Sequence, residues 1–291
     1  MVNLEKQSPC KVNLLLNILG RRADGFHELE TVIHPVALFD NLSLARAGQG
    51  IQLTCSHASL PTDSQNLVHR AAAMFLEAAN IKEGVRLHLE KNIPLAAGLG
   101  GGSADAATTL AGLNELFGGP LPSEQLHTLA AALGSDVPFF LQSKPALATG
   151  RGEQIRPLEP SPALRGAWFL LIHPGFGIPT AWAYQQLARF PAALNGTPGR
   201  AQQLIALLQR ADLKDTGAAL YNSLEFPALK KYPLLALFQE FLRENGAAAA
   251  LMSGSGSSTF ALAQTRSTAE QLLERFKSKF GRTNWLATVP C

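Results

Sequence analysis

A chain of 291 residues is long enough to bury one large core or, as read here, two. With 46% hydrophobic and 16% charged residues it is not a disordered chain. Its net charge of +3 carries no long runs of Lys or Arg, which excludes the basic footprint of a nucleic-acid binder and leaves room for a small anionic ligand. Cys10, Cys55 and Cys291 are odd in number and lack C-x-x-C spacing, arguing against a disulfide framework or a zinc site and for a reducing compartment.

From Cys10 to Leu19 the residues alternate as a strand, with Val12, Leu14, Leu16 and Ile18 on one face and Lys11, Asn13, Leu15 and Asn17 on the other, so Lys11 and Asn13 point the same way. The stretch "VNLLLNIL" is short, broken by Asn13 and Asn17, and followed rather than preceded by Arg21 and Arg22. It reads as a buried strand, not a signal peptide. No run approaches the roughly 18 apolar residues of a spanning helix, so the expected location is the cytoplasm, with no membrane partner. "NLSLARA" and "IQLTCSH" around "GQG" read as a hairpin, "DSQNLVHRAAAMFLEAAN" as a helix from about Ser64 to Ala79, and "VRLHLEK" as a strand.

Pro157, Pro160 and Pro162 mark a seam, giving expected domains at 1–158 and 159–291. Beyond it come a strand "AWFLLI", helical stretches between about Thr180 and Asn245, and two strands around a Gly/Ser loop in "AAAALMSGSGSSTFALA". A helix "STAEQLLERFKSKF" and a strand "NWLATV" follow. This order suits an antiparallel sheet covered by helices on one face, an α+β class.

The segment "PLAAGLGGGSA" comprises Pro94, Leu95, Ala96, Ala97, Gly98, Leu99, Gly100, Gly101, Gly102, Ser103 and Ala104, and a helix is expected from near Ser103. Clustered glycines let successive N–H groups turn toward one point, and a helix start adds unsatisfied N–H groups and a dipole worth about 0.3–1 kcal/mol per charge. A phosphate is the natural guest; a structural turn is the other reading of an isolated cluster. The Walker pattern fails because no Lys follows the glycines. The dinucleotide fingerprint fails because Ser103 stands where its last glycine belongs.

"SPCKVNLLLNILGRRADGFHEL", "PLAAGLGGGSADAA" and "LMSGSGSSTFAL", in that order, resemble the GHMP kinase superfamily of galactokinase, homoserine kinase, mevalonate kinase and phosphomevalonate kinase. With "GSDVPFF" the pattern is most similar to the branch whose acceptor is 4-diphosphocytidyl-2-C-methyl-D-erythritol. The resemblance implies two α+β domains, the N-terminal one like ribosomal protein S5 domain 2 and the C-terminal one ferredoxin-like. It also implies transfer of the γ-phosphate of ATP to the acceptor's 2-hydroxyl, with Mg²⁺ expected and a monomer or weak homodimer as the assembly. Another kinase of the superfamily, of homoserine or mevalonate type, and a catalytically silent ligand-binding relative are the other readings.

By the same resemblance, Lys11 and Asp136 face the acceptor hydroxyl. Asp136 can accept its proton while Lys11 keeps that carboxylate ionised and offsets phosphoryl charge; a buried ion pair without chemistry is the other reading of these two residues. Pro94 to Ala104 becomes the ATP-phosphate loop, with the Ser103 hydroxyl near the phosphates and their Mg²⁺, although the family usually has glycines where Ala96 and Ala97 stand. The matching motifs assign Phe26 and Tyr184 as rings that hold the cytosine, His27 as the reader of its edge, and Asn13 as a contact to substrate or to the catalytic pair. The loop Ser253 to Ser258 is implied to help close the site opposite Lys11. His173 and Glu225 are read as structural.

Overall fold

The computed structural model describes residues 3–142, 144–210 and 212–291. Along the first half run β1 (Asn3–Arg21), β2 (His27–Ala47), β3 (Ile51–Cys55), α1 (Leu67–Ala78), β4 (Gly84–Glu90), α2 (Gly101–Leu116), α3 (Ser123–Leu133), β5 (Ala146–Gly150) and β6 (Gln154–Pro157). The second half holds β7 (Trp168–His173), α4 (Thr180–Leu187), α5 (Pro191–Leu194), α6 (Arg200–Leu208) and α7 (Leu213–Ala218). It continues with β8 (Tyr221–Asn222), α8 (Glu225–Lys231), α9 (Pro233–Glu244), β9 (Ala249–Met252), β10 (Thr259–Ala263), α10 (Arg266–Phe280) and β11 (Trp285–Pro290). Among the described residues no helix is long and apolar enough to cross a membrane.

Two compact units share these elements. The first comprises Met1–Cys10, Leu38–Ile93 and Gly100–Ser143, and the second Lys11–Ala37, Pro94–Leu99 and Lys144–Cys291. In the first, β4 pairs antiparallel with the far end of β2, from Asn41 opposite Glu90 to Ala47 opposite Gly84, and parallel with β3. The expected hairpin of "NLSLARA" and "IQLTCSH" is therefore not formed, because β4 lies between them. The reason is burial: Val85, Leu87 and Leu89 make β4 the strand with a fully apolar inner face, and α1 supplies the crossover that the parallel β3–β4 pair needs.

Helix α1 starts at Leu67 rather than Ser64, since the Asn66 side chain accepts from Val68 N (2.9 Å) and caps it there. It buries Val68, Ala71, Ala72 and Phe75 at helical spacing. Helix α2 presents Ala104, Ala106, Ala107, Leu110 and Leu113 to the same core. A methyl at Gly112 would come within 3.0 Å of the Leu44 side chain, so glycine there sets how closely helix and sheet approach.

In the second unit both faces of β1 are buried from Lys11 to Ile18. β5 pairs with the near end of β2 and with β6, and β8 runs parallel to β1 at Leu15 and Leu16. The strands β11, β7, β10 and β9, in that order, form an antiparallel sheet, as the C-terminal sequence pattern suggests. Helix α9 packs on β9 and β10, and α10 on β7, β10 and β11, through a core that includes Phe238 and Phe276.

One buried polar cluster lies inside the first unit. Lys91 Nζ donates to Asp40 and, at 2.8 Å, to Asp105 Oδ2, while Asp40 Oδ1 accepts from the backbone N of Asn92 (2.6 Å) and Ile93 (2.8 Å). Asp105 is buried, and that burial, opposed by Lys91, raises its carboxyl from 3.8 to about 6. A folded-state pKa above the unfolded one means that folding favours the protonated acid. Its contribution to stability is whole below about pH 4 and is lost as pH rises through about 6. Asp105→Asn should therefore gain stability relative to the parent across this window and hold a constant difference above it. Urea unfolding at about pH 4, 5.5 and 7 measures this, and a pH-independent difference would refute it.

Candidate active site

Lys11 and Asn13, on one face of β1, are 3% and 4% exposed. Lys11 Nζ donates to Asn13 Oδ1 (2.5 Å) and to the Gly98 carbonyl (3.0 Å), and the Lys11 backbone N donates to Leu99 O (2.9 Å). Asn13 Nδ2 donates to Thr31 Oγ1 (2.9 Å), whose hydroxyl donates to Leu15 O. The Asn13 amide thus has its oxygen on the ammonium and its nitrogen on a fixed acceptor, which sets where the ammonium sits.

The segment Pro94–Leu99 lies against the Ser253–Ser258 loop. Ser253 Oγ donates to Gly98 O (2.9 Å) and Ser258 N to Ala97 O (3.0 Å). Gly98 has φ +75°, and a side chain there would run into the Ser253 carbonyl, so the position demands glycine twice over. Gly254 leaves room for Lys11: a methyl on it would stand 3.1 Å from both Lys11 Nζ and Gly98 O and 3.3 Å from Asn13 Oδ1. Within the second unit, Ser253 and Gly254 therefore stand beside Lys11 and Asn13.

Two residues anchor the loop. Asn222 Nδ2 donates to Met252 O (2.8 Å) and Gly254 O (2.8 Å), and Glu225 accepts from Met252 N (2.7 Å) and Gln239 Nε2 (2.6 Å), with burial pushing its pKa up. Glu225 is structural, as read from the sequence, but what it supports is this loop. Asn222 carries one sequence signal, its place in the polar "NSLE" at which α8 begins. His173, also read as structural, ends β7 and accepts from Gly175 N through Nδ1 (3.3 Å).

Helix α2 begins at Gly101, two residues before the expected Ser103, with Gly100 (φ +74°) as its cap. No side chain caps this start and no acid stands in its first turn, so its N–H groups and dipole are open to an anion. Gly101 lies against Lys91 and Ile93: a methyl there would stand 3.3 Å from Lys91 Nζ and 3.1 Å from Ile93 Cγ2. Ser103 is half-buried in the first turn. Asp136, in the same unit, is half-buried in the turn between α3 and a 3₁₀ helix at Pro138–Leu141, closed by Val137 N donating to Gly134 O (3.2 Å).

The aromatic residues belong to the second unit. His27 opens β2, its ring 5.0 Å from that of Tyr184 on α4 and tilted by 38°. Partial burial and then the charge of Arg21 lower the His27 pKa. Phe26 is 50% exposed, with the Arg151 guanidinium over its ring at 4.6 Å.

Residues 66–144 match the model of the GHMP kinases N-terminal domain, and 204–282 that of the GHMP kinases C-terminal domain. A 4-diphosphocytidyl-2-C-methyl-D-erythritol kinase of Syntrophotalea carbinolica is 38% identical over 94% of this chain and 94% of its own. The chain is a GHMP kinase of the 4-diphosphocytidyl-2-C-methyl-D-erythritol kinase family. The crystal structure of a 4-(cytidine 5'-diphospho)-2C-methyl-D-erythritol kinase, 36% identical, superposes with a TM-score of 0.82 over 99% of this chain and 100% of the other. The homoserine kinase of Cytophaga hutchinsonii shares the fold at 20% identity and a TM-score of 0.76, covering 99% of this chain and 94% of its own.

This GHMP kinase departs from the expected glycine pattern at Ala96, which takes φ +50°. A left-handed alanine costs roughly 1–2 kcal/mol. Gly177 faces it, and a methyl on Gly177 would stand 2.7 Å from Ala96 Cβ and 3.0 Å from Ala96 O. Gly177→Ala should therefore destabilise the protein by about 1–3 kcal/mol. In an Ala96→Gly background the cost should shrink, because one of the two collisions is gone. Chemical denaturation of the four proteins gives the coupling, and additivity within about 0.5 kcal/mol would show that the two positions do not touch.

Proposed function

We propose that this chain transfers the γ-phosphate of ATP to the 2-hydroxyl of 4-diphosphocytidyl-2-C-methyl-D-erythritol, in non-mevalonate synthesis of isoprenoid precursors. The observation that carries this reading is the 36% identity to the solved kinase named for that acceptor, against 20% for a homoserine kinase of the same fold.

The phosphates of ATP are assigned to Pro94–Ala104, where a helix start without acid or side-chain cap favours negative charge. Asp136 is assigned the proton of the acceptor hydroxyl. Lys11, held by Asn13 and the Gly98 carbonyl, is assigned to offset charge on the transferring group. Mg²⁺ is expected with the nucleotide, and the half-buried Ser103 hydroxyl in the first turn of α2 fits as one of its few protein oxygens. When bound, the ion neutralises phosphate charge. Phe26 and Tyr184 are assigned to the cytosine faces and His27 to its edge. Of these, Tyr184 stands against the His27 ring, so base edge and base face would be read side by side.

We further propose a cytoplasmic monomer or weak homodimer, and a boundary between N- and C-terminal domains at 158/159. The two family-model matches, 66–144 and 204–282, fall on either side of that boundary.

ADP release measured with the cytidyl acceptor, mevalonate, phosphomevalonate and homoserine should show turnover of the first alone. Turnover of another acceptor but not this one would overturn the specificity. Asp136→Asn and Lys11→Ala should each lower kcat by about 10²–10⁴-fold while the circular dichroism spectrum is kept. Rates near those of the parent in both would rule out the assigned chemistry.

A further inference from the structure

Phe26 is an anomaly on energetic grounds. It is a large ring, 50% exposed, at a turn where a polar residue would cost less, and the ring is not left to water on both faces. The Arg151 guanidinium lies over it, 4.6 Å from the centroid. Neither partner is loosely placed. The Phe26 backbone N donates to Asp24 Oδ1 (3.1 Å), and Asp24 in turn is held by Arg22 at 3.0 Å. Arg151 sits in the turn between β5 and β6, where Gly152 N donates to Thr149 O (3.1 Å) and the Arg151 backbone N donates to Glu153 Oε2 (2.7 Å). Pairing of Gly150 with Leu29 sets this turn beside the start of β2, just past Phe26 and His27.

We propose that Arg151 is a positioning residue for recognition of the acceptor's pyrimidine: its guanidinium covers one face of Phe26 and fixes the ring with the opposite face turned to the base. This rests on the proposed function, in which Phe26 stacks on cytosine. A bare ring at a surface turn samples several rotamers, and ordering it on binding costs affinity. A cation already seated on one face removes part of that cost before the ligand arrives. The guanidinium suits the task because it is planar, stays charged and stacks, and because Glu153, which accepts from the Arg151 backbone N, also lies 3.9 Å from the Arg151 Nε. The aromatic pair of His27 and Tyr184, 5.0 Å apart, is the rest of the same recognition surface.

The test is steady-state kinetics on Arg151→Gln, Phe26→Ala and the double variant of the full chain, with unfolding midpoints as a control for folding. Arg151→Gln should raise KM for the cytidyl acceptor about two- to fivefold, the equivalent of an exposed cation–ring contact, with kcat and KM for ATP unchanged. In the Phe26→Ala background the same change should have no further effect. An unchanged acceptor KM in Arg151→Gln overturns the inference. So does an equal rise with and without Phe26, which would assign Arg151 to the diphosphate of the acceptor instead. If the unaltered chain does not turn over the cytidyl acceptor at all, the proposed function fails and takes this inference with it. Turnover by the parent with a flat Arg151→Gln response sinks the inference alone.

Discussion

Within the second unit, the surroundings of Lys11 depend on one peptide carbonyl. Gly98 O accepts from Lys11 Nζ and from Ser253 Oγ, residues 87 and 155 positions away in sequence. A carbonyl has two lone pairs, and both are taken here by donors from other segments. The bond to Lys11 sets the ammonium. The bond to Ser253 sets the loop that passes over it, and Gly254 then fits only because it has no side chain to meet that ammonium. Moving the carbonyl would displace all three segments together, so the position of Lys11 is a property of the junction more than of the strand that carries it.

Support for this junction comes from further out. Asn222 donates to the carbonyls of Met252 and Gly254, and Glu225 accepts from Met252 N, so the start of the Ser253–Ser258 loop is tied down and not a free turn. Ala96 takes a left-handed backbone with its methyl against Gly177, a strained geometry that surrounding contacts must maintain. A glycine at this place would carry no such strain and no such contact.

Much of this was legible in the sequence, because its motifs are short-range. The alternation that sets Lys11 and Asn13 on one face, the glycine cluster ahead of a helix and the paired strands around "SGSGSS" are all written within about twenty residues. What escaped is long-range. The "GQG" turn looks like a hairpin until β4, some thirty residues on, takes the place beside β2. The start of α1 moves to Leu67 because Asn66 and not Ser64 provides the cap, a choice among neighbouring polar residues that periodicity cannot make. Asn222 and the Lys91 cluster were invisible for the same reason. A buried polar residue is recognisable only by its partners, and those lie tens of residues away.

The glycine run shows the limit of reading a motif as chemistry alone. A cluster of four glycines suggests a backbone stripped bare for a phosphate, yet the contacts divide the work differently. Gly98 is bare for Ser253, and Gly101 for Lys91 and Ile93, while a methyl on Gly102 would meet only Leu67, at an ordinary 3.7 Å. Gly100 is the one whose left-handed backbone shapes the helix start itself. The density of glycine therefore records how tightly the loop packs against its own protein. The N–H groups at the first turn of α2 have neither a side-chain cap nor an acid beside them.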